Sequence, residues 1–284
     1  SLLIFDAKGE AVALLPAHEK DGNWYSHQGL TYGGLLLHRS LKLADALDCW
    51  SAVVDYGRAQ GWQALHYKSV PSFYHTSSTQ EEEYALWMLQ AECVRVDTAF
   101  VVEQQQGQAL QLQTRRRRAV QKAEKMGIRI EKADDCSAFW QEILTPNLLE
   151  RFGVQPVHSL AEIELLRQRF PDEILQFNAY AGTELLAGTT IFRTPRAAHA
   201  QYISANAQGR DTGAIDLLFY CLISEIFAEL PFFSFGIANE AQGTRLNRGL
   251  MDWKEGFPTA VYAHRFYRIP LQSPARFSPL DKAE

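Results

Sequence analysis

The chain has 284 residues, 46% of them hydrophobic and 12% aromatic, which is enough for one large domain or two ordinary ones. Its formal net charge of −5 argues against a broadly basic nucleic-acid-binding surface, and no apolar run reaches the roughly 18 residues of a membrane span. The four cysteines lie far apart in apolar sequence at Cys49, Cys93, Cys136 and Cys221. They predict buried free thiols in a reducing compartment, which we expect to be the cytoplasm.

The first part of the chain predicts three strands, a helix, a strand, a helix and a strand. Two apolar runs flank an Ala-Lys-Gly-Glu turn, and the first helix carries an apolar face at helical spacing. The predicted elements are Leu2–Asp6, Ala11–Pro16, Asn23–His27, Leu43–Ala59 (helix), Ala64–Tyr67, Glu81–Leu89 (helix) and Cys93–Glu103.

The same order recurs about 174 residues later. An Ala-Gly-Thr-Glu turn again joins the first two strands, so the repeat extends to its first hairpin. The predicted elements are Ile174–Tyr180, Leu185–Phe192, Ala200–Ser204, Ala214–Glu229 (helix), Phe232–Ile237, Thr244–Trp253 (helix) and Ala260–Tyr267.

Only the second copy has further elements before it. They are the helices Arg115–Met126, Cys136–Phe152 and Leu160–Arg169 and the strand Ile128–Glu131. Because the first copy begins at its second strand, we expect that a strand and helices precede it. A domain that never had them is the alternative. We divide the chain into lobes at 1–106 and 107–270 and a mobile tail at 271–284.

Two segments carry a family resemblance. In Phe232–Phe257 a buried strand ends at Asn239-Glu240, and a short helix follows that closes on Trp-Lys-Glu-Gly-Phe. Arg115–Gly127 reads RRRRAVQKAEKMG. Together they resemble the Fem-type acyltransferases, a branch of the GNAT superfamily. The resemblance implies an α/β (α+β) fold of two GNAT-like lobes, each a mixed twisted sheet flanked by helices, and transfer of an acyl group to an amine.

The resemblance also implies where an acyl donor binds. GNAT folds hold it where the fourth and fifth strands part, with its pyrophosphate on the N-terminus of the following helix. Arg210-x-x-Gly213 matches half of the superfamily's R/Q-x-x-G-x-G/A loop, and Ile215 replaces the second glycine. A helix cap at Asp211 or Thr212 is the alternative. The donor-site candidates are Arg210, Gly213, Ala214 and Tyr202.

Three residues are candidates for the chemistry itself. Glu240, with Asn239 beside it, follows the strand at the implied donor channel and is placed to take a proton from the amine. An exposed turn is the alternative. The W-K-x-G-F register places Lys254 on the family's lysine, which would bind phosphate or stabilise charge on the carbonyl. A lysine in a last helical turn, with Gly256 as C-cap, is the alternative.

Cationic side chains are the first group of substrate-binding candidates. Four consecutive arginines, Arg115–Arg118, span more than one helical turn and cannot all face solvent. We therefore take Arg116 as a phosphate-binding candidate, or as part of a solvated linker helix. Arg245, near the polar strand end, is a second candidate.

The first lobe supplies the remaining candidates. The segment Ser26–Gly34 breaks the strand pattern with hydrogen-bonding side chains and glycines. By analogy with Fem-type first lobes, His27, Gln28 and Tyr32 are acceptor-site candidates, and a structural loop is the alternative. Weaker candidates are His66, Tyr67 and Lys68. The cysteine and histidine spacings give no metal site.

The sequence therefore predicts an acyltransferase that takes an acyl group from acyl-CoA, as a co-substrate with no permanently bound cofactor. The acceptor would be an amino group of a cell-envelope or nucleotide-sugar precursor. An aminoacyl-tRNA donor is the first alternative, but the helices after Ala133 are broken by Pro146, Gly153 and Pro156, so the expected coiled-coil arm is absent. A non-catalytic GNAT-like binding module is the second.

Overall fold

The structure, a computed structural model, describes residues 1–77, 80–105 and 107–273. This part of the chain contains fifteen strands and eight α-helices. The strands are β1 Leu2–Phe5, β2 Ala11–Leu15, β3 His18–Lys20, β4 Asn23–Tyr25, β5 Leu36–Leu37, β6 Ala64–Lys68, β7 Glu92–Glu103, β8 Arg129–Ala133, β9 Ile174–Ala181, β10 Glu184–Arg193, β11 Ala197–Ala205, β12 Phe232–Ile237, β13 Asn239–Glu240, β14 Arg245–Leu246 and β15 Thr259–Pro270.

Eight α-helices accompany the strands in the described residues, and among them none has the length and apolar composition needed to cross a bilayer. Two of them continue from or into a π-helical turn, at Phe139–Leu144 and Leu222–Ile226. The helices are α1 Leu43–Ala59, α2 Glu81–Met88, α3 Thr114–Lys125, α4 Thr145–Phe152, α5 Leu160–Arg169, α6 Ala207–Thr212, α7 Ala214–Cys221 and α8 Arg248–Lys254.

The helix predicted over Thr244–Trp253 is wrong in its first half. Arg245 and Leu246 instead form β14, which pairs with β13 in a hairpin whose strands are two residues long. The helix begins only at Arg248, because the side chain of Asn247 caps it by accepting a hydrogen bond from the backbone N–H of Leu250 at 3.0 Å.

The chain divides into two compact units. Unit 1 comprises Ser1–Asp97, Ala241–Thr244 and the chain from Ala263, and unit 2 comprises Thr98–Glu240 and Arg245–Tyr262. The lobes predicted at 1–106 and 107–270 remain a prediction. The unit boundaries fall within β7 and within β15, and the unit 1 segment Ala241–Thr244 interrupts the sequence of unit 2.

The strands of unit 1 lie in two sheets, whereas the resemblance implied one sheet in each lobe. The first hairpin, β1 and β2, joins β5 in a separate three-stranded sheet, while β3, β4, β6 and β15 lie side by side in another. The strands β4 and β6 are parallel, and β6 is antiparallel to Phe266–Pro270 of β15. Helices α1 and α2 supply buried apolar side chains such as Trp50 and Leu86 to its core.

The packed chain of unit 1 continues past the predicted start of the tail. Leu271 is fully buried, and its backbone N–H donates to the carbonyl of Gln63 at 3.0 Å. Arg58 donates to the Leu271 carbonyl at 2.7 Å. The rest of the predicted tail, from Pro274 onward, lies outside the described residues.

Unit 2 has strand order β8-β9-β10-β11-β12-β7, in which β11 and β12 are parallel and the other neighbouring strands are antiparallel. The predicted strands and helices of this part form within a few residues of their expected bounds. Helices α3 and α7 cover one apolar core, and Phe139, Trp140 and Ile163 build a second. Strand β7 ends the first copy of the repeat but pairs with β12 of unit 2. Strand β15 ends the second copy but pairs with β6 of unit 1.

The prediction of four buried thiols is half right. All four are free, and Cys49 and Cys136 are buried. Cys93 is exposed and Cys221 is only half-buried. Cys93 lies at the start of β7, where Val94 is also 51% exposed, so apolar sequence there does not mean burial.

Gly213 joins α6 to α7 with φ +82°, and a Cβ there would overlap the main-chain carbonyl of Ala119 on α3. We predict that Gly213→Ala lowers the free energy of unfolding by at least about 3 kcal/mol, because left-handed strain and a backbone clash add. Gly127→Ala is the matched control, since Gly127 has φ +68° but nothing within 4 Å of its Cβ position. It should cost only about 1–2 kcal/mol. Equal losses in urea denaturation would contradict the prediction.

Candidate functional site

The strands β11 and β12 part as the resemblance implies. They pair only from Ala197–His199 to Phe232–Ser234, although β11 continues to Ala205 and β12 to Ile237. On its other side, the pairing of β12 with β7 shifts register between Ser234 and Ile237. Gly236 lies in this irregularity with φ +69°, a backbone conformation that glycine adopts without strain.

A buried polar pair marks the point of parting. The ring Nδ1 of His199 lies 3.1 Å from the hydroxyl of Ser234, at the last paired position of the two strands. The same hydroxyl accepts a hydrogen bond from the backbone N–H of Gly236 at 3.2 Å. These bonds hold the irregular turn of β12 against β11.

Lys254, at the end of α8, reaches the same turn. It is 2% exposed, and its Nζ donates to the carbonyls of Gly236 and Ile237 at 3.1 and 2.7 Å. The ammonium also lies 5.8 Å from the ring centre of Phe100. Burial lowers the pKa of Lys254 to about 7. The side chain therefore binds main chain and does not line the cavity described next.

A cavity of about 540 Å³ opens beside the parted end of β11. Three exposed arginines from different helices line it: Arg115 of α3, Arg151 of α4 and Arg210 of α6. Ile203–Ala205 of β11 form one wall, and the exposed face of α8 around Leu250 forms another. Its charged groups are four arginines, the fourth being Arg116, and the two carboxylates of Asp216 and Asp252, so positive charge is in excess, and its walls are partly apolar.

Arg116 is the one member of Arg115–Arg118 that turns inward. Its guanidinium pairs with the carboxylate of Asp216, in the first turn of α7. The indole N–H of Trp253 on α8 donates to the same carboxylate at 3.0 Å. All three line the cavity, and together they fix α3, α7 and α8 around it.

The predicted phosphate loop has a different cap from the ones proposed. The side chain of Asn206 caps α6 by accepting from the Gly209 N–H at 2.7 Å, whereas the Thr212 hydroxyl donates to the Gln208 carbonyl. Arg210 donates to the Ala205 carbonyl. Gly213 is the N-cap of α7, with no side chain capping that helix. The first turn of α7, which starts at the buried Ala214, reaches the cavity through Ile215 and Asp216.

Tyr202, predicted for donor binding, lies outside the cavity. Its ring packs against Trp140 with ring centres 4.9 Å apart, and its hydroxyl accepts from the backbone N–H of His158 at 3.1 Å. Neighbouring residues on a strand face opposite sides, so the cavity instead meets Ile203.

Asn239, Glu240 and Arg245 belong to the β13–β14 hairpin and do not line the cavity. The amide oxygen of Asn239 accepts from the N–H and hydroxyl of Thr98 at 2.6 and 2.8 Å. Glu240 accepts from Asn247 at 2.7 Å and forms an ion pair with Arg245 at 2.7 Å. These bonds lower the pKa of Glu240, which makes it a weaker proton acceptor.

In unit 1 the loop after β4 wraps around Lys68. The Lys68 ammonium donates to the carbonyls of His27, Gln28 and Leu30 at 3.2, 3.2 and 2.6 Å. The Gln28 side chain is exposed. His27 has φ 22°, and its Nδ1 is buried without a hydrogen-bond partner in the described structure. Burial lowers the pKa of His27.

The remaining unit 1 candidates lie in separate environments. Tyr32 contacts the rings of Tyr74 and His264, with centres 5.0 and 4.8 Å away, and burial raises its pKa to about 12. His66 stacks on Tyr25 with ring centres 4.5 Å apart. Tyr67 is buried and donates to the carboxylate of Glu82.

Several cavity residues were missed by the sequence reasoning. Asn147 of α4 donates to the Ser204 hydroxyl and the Ala205 carbonyl at 2.8 and 2.9 Å, which ties α4 to the free end of β11. This contact also brings Arg151 to the cavity, one helical turn later. Neither residue belongs to a motif, and the amphipathic pattern of α4 is the one signal in the sequence that could have drawn attention to this helix.

No protein-family model matches the sequence, and no characterised protein matches it closely enough to establish a relationship. Solved structures do share its fold. The C-terminal domain of a putative lysylphosphatidylglycerol synthetase from Agrobacterium fabrum is 13% identical, with 94% of this chain and 83% of that chain covered and a TM-score of 0.64. FemX is 12% identical, with coverage of 89% and 87% and a TM-score of 0.63.

A tandem GNAT protein from the clavulanic acid biosynthesis pathway is also similar. It is 12% identical, with coverage of 95% and 82% and a TM-score of 0.52. At such identities the likeness shows the fold alone. The chain therefore has the Fem-like tandem GNAT fold, and the predicted fold class is confirmed.

The buried Lys254 predicts an unusual pH dependence of stability. Its pKa of about 7 in the folded chain lies below the 10.5 of an exposed lysine, so between these values the unfolded state binds more protons. The stability of the protein should then rise with pH. We expect the free energy of unfolding to increase by roughly 2 kcal/mol more in the wild type than in Lys254→Met from pH 7 to pH 9.

Urea denaturation at the two pH values measures this difference. Lys125→Met is the control, because Lys125 is exposed at the end of α3 and should keep the wild-type pH dependence. Parallel pH profiles for the wild type and Lys254→Met would show that Lys254 stays charged in its buried position.

Proposed function

We propose that the protein is an N-acyltransferase that takes an acyl group from acyl-CoA. The acceptor is an amino group of a cell-envelope or nucleotide-sugar precursor. The observation that carries the proposal is the arginine-lined cavity beside the parted strands β11 and β12. The tandem GNAT fold supports the reaction class by analogy.

The cation set of the cavity suits a donor whose carrier bears phosphates. Arg115, Arg151 and Arg210 are exposed within it, and guanidinium groups bind phosphate oxygens in pairs of hydrogen bonds. The first turn of α7 adds main-chain N–H groups with no capping side chain. Arg116 has a different role, because Asp216 already neutralises it. It positions α7 and α8 around the donor.

In the proposed reaction the amine nitrogen attacks the thioester carbonyl and a tetrahedral oxyanion forms. The C–S bond then breaks, CoA leaves as the thiolate, and the amine proton passes to solvent or to a base. Lys254 acts by fixing the carbonyls of Gly236 and Ile237, and so holds the shape of β12 where this strand separates from β11. We therefore assign Lys254 a positioning role and no direct contact with the thioester carbonyl.

Glu240 is the remaining candidate for the base. Its ion pair with Arg245 must open before it accepts a proton, because both carboxylate oxygens are engaged by Asn247 and Arg245. Asn239 then serves to anchor the hairpin on Thr98. The tetrahedral intermediate itself can also lose its proton to water, so the proposal does not depend on Glu240.

An aminoacyl ester donor, as on aminoacyl-tRNA, is the second candidate. It is favoured by the fold likeness to FemX and to the domain named for lysylphosphatidylglycerol synthesis, both with higher TM-scores than the tandem GNAT protein. The helices between Ala133 and Arg169 are short, however, and form no long two-helix arm. We rank acyl-CoA first for this reason.

We predict release of free thiol when the protein is incubated with acyl-CoAs and amino sugars, measured with a chromogenic disulfide. A thermal-shift screen should also show stabilisation by CoA, by about 2.7 kcal/mol at 100 times the dissociation constant. Aminoacyl transfer from charged tRNA without thiol release would select the second candidate. Neither activity nor CoA binding would leave a non-catalytic module.

Arg210→Ala should raise the KM for the acyl-CoA donor at least tenfold and lower kcat by much less. Phosphate contacts far from the reacting carbon stabilise ground and transition states about equally. Arg129→Ala is the control, because Arg129 pairs with Glu131 on the edge strand β8 and does not line the cavity. An unchanged KM for Arg210→Ala would move the donor site elsewhere.

A further inference from the structure

Unit 1 contains a counterpart of the donor cavity. The parallel pair β4 and β6 occupies the same place in the repeat as β11 and β12. A cavity of about 290 Å³ lies near these strands. It is lined by the segment after β4, by the segment after β6 and by helix α2. The donor cavity of unit 2 is likewise lined by segments that follow its two parallel strands, and in addition by α3, α4 and the end of β11.

The two cavities have opposite charge. No lysine or arginine lines the unit 1 cavity within the described residues, and its ionisable groups are Glu81, Glu82, His75 and Tyr74. The ring of His75 is held to the carbonyl of Val70 at 2.9 Å. The carboxylates therefore set the sign of the potential inside the cavity.

Glu82 forms the polar floor. Its carboxyl accepts a hydrogen bond from the buried hydroxyl of Tyr67, which itself accepts from the backbone N–H of Leu35 at 2.7 Å. Ser69 supplies a further side-chain hydrogen bond to the carboxyl. A carboxylate offers about four acceptor sites, so acceptor capacity remains after these two bonds.

The walls above the carboxylate are aliphatic and aromatic. Leu35, Leu36, Leu37 and Val70 line the cavity together with the ring of Tyr74. A cation on a short hydrocarbon chain matches this arrangement, because the chain contacts the leucines while the charge meets the carboxylate. An anionic or phosphate-bearing ligand does not match it.

We propose that this cavity is a binding site for the primary ammonium group of an aliphatic ligand, which pairs with the Glu82 carboxylate. The ligand class is an alkylamine or a lysine-like side chain. The site lies wholly in unit 1, and its occupancy does not require the donor chemistry proposed for unit 2.

Binding should depend on pH through Glu82. Burial raises its pKa to about 7, and the groups that face it are Tyr67 and Ser69 from the β6 side, Tyr267 from β15, His75, and its neighbours Glu81 and Glu83. An alkylammonium stays charged from pH 6 to pH 8, as lysine does. Because it binds the ionised carboxylate, its affinity should rise roughly tenfold over that range.

Calorimetric titration of the full chain with n-butylammonium chloride, with n-butanol as the uncharged counterpart, tests the proposal at constant ionic strength. We expect saturable binding of butylammonium, at least tenfold weaker binding of butanol, and proton release on binding at pH 7. Glu82→Gln should weaken butylammonium binding at least tenfold. Glu83→Gln should change it much less, since Glu83 pairs with Arg265, does not line the cavity and raises the pKa of Glu82 only slightly.

Leu36→Trp provides a second variant in case Glu82→Gln fails to fold. Leu36 is 49% exposed at the cavity wall, so the larger ring can fill the cavity without disturbing the core. It should abolish butylammonium binding. Absence of binding to the wild type, equal affinity for butanol, or undiminished binding to Leu36→Trp would each overturn the proposal. None of these results bears on thiol release from acyl-CoA, so the two proposals fail separately.

Discussion

The parting of β11 from β12 after the His199–Ser234 pair is the constraint on which the rest of unit 2 depends. Two parallel strands that separate leave main-chain N–H and C=O groups without ladder partners, and buried groups of this kind must be satisfied in another way. Lys254 satisfies the Gly236 and Ile237 carbonyls, and Asn147 and Arg210 satisfy that of Ala205. The helices that carry these side chains are thereby fixed around the opening.

Burying the charged groups of this arrangement costs desolvation free energy. Within the described residues Lys254 has no carboxylate partner and is buried against two carbonyls, and the ion pair of Arg116 with Asp216 is buried as well. Buried ions stabilise a fold only weakly, because desolvation offsets most of the attraction. Their value lies in geometry. Lys254 joins α8 to β12, and Arg116 joins α3 to α7 at the cavity wall. This is the physical basis for treating Lys254 as a positioning residue.

Much of the fold could be predicted from the sequence. The repeat and helices such as Leu43–Ala59 and Leu160–Arg169 follow from apolar periodicity. Helical geometry requires that at least one of Arg115–Arg118 turns inward, and in the structure it is Arg116. The β13–β14 hairpin could not be predicted, because Arg245-Leu246 fits a helix as well as a strand and only tertiary pairing decides. The pairing of β7 with β12 and of β15 with β6 could not be predicted either, since both copies of the repeat end in strands of similar pattern.

The candidate site was predicted less well than the fold. Arg210 and the loop before α7 lie at the cavity, whereas Tyr202 faces the opposite side of β11 and Asn239 is used by Thr98. Motifs locate main-chain features such as the Gly213 turn well. They do not reveal which side chains already have partners, and this is why Glu240 and Lys254 looked more available in sequence than in the fold.

Hydrogen–deuterium exchange with and without CoA shows whether the donor binds where β11 and β12 separate. Saturating CoA should slow amide exchange in residues 203–216 and in α8, which border the cavity. The exposed edge strand β8 should be unaffected. Protection confined to other segments, or no protection at CoA concentrations that raise the melting temperature, would show that the parted strands do not form the donor site.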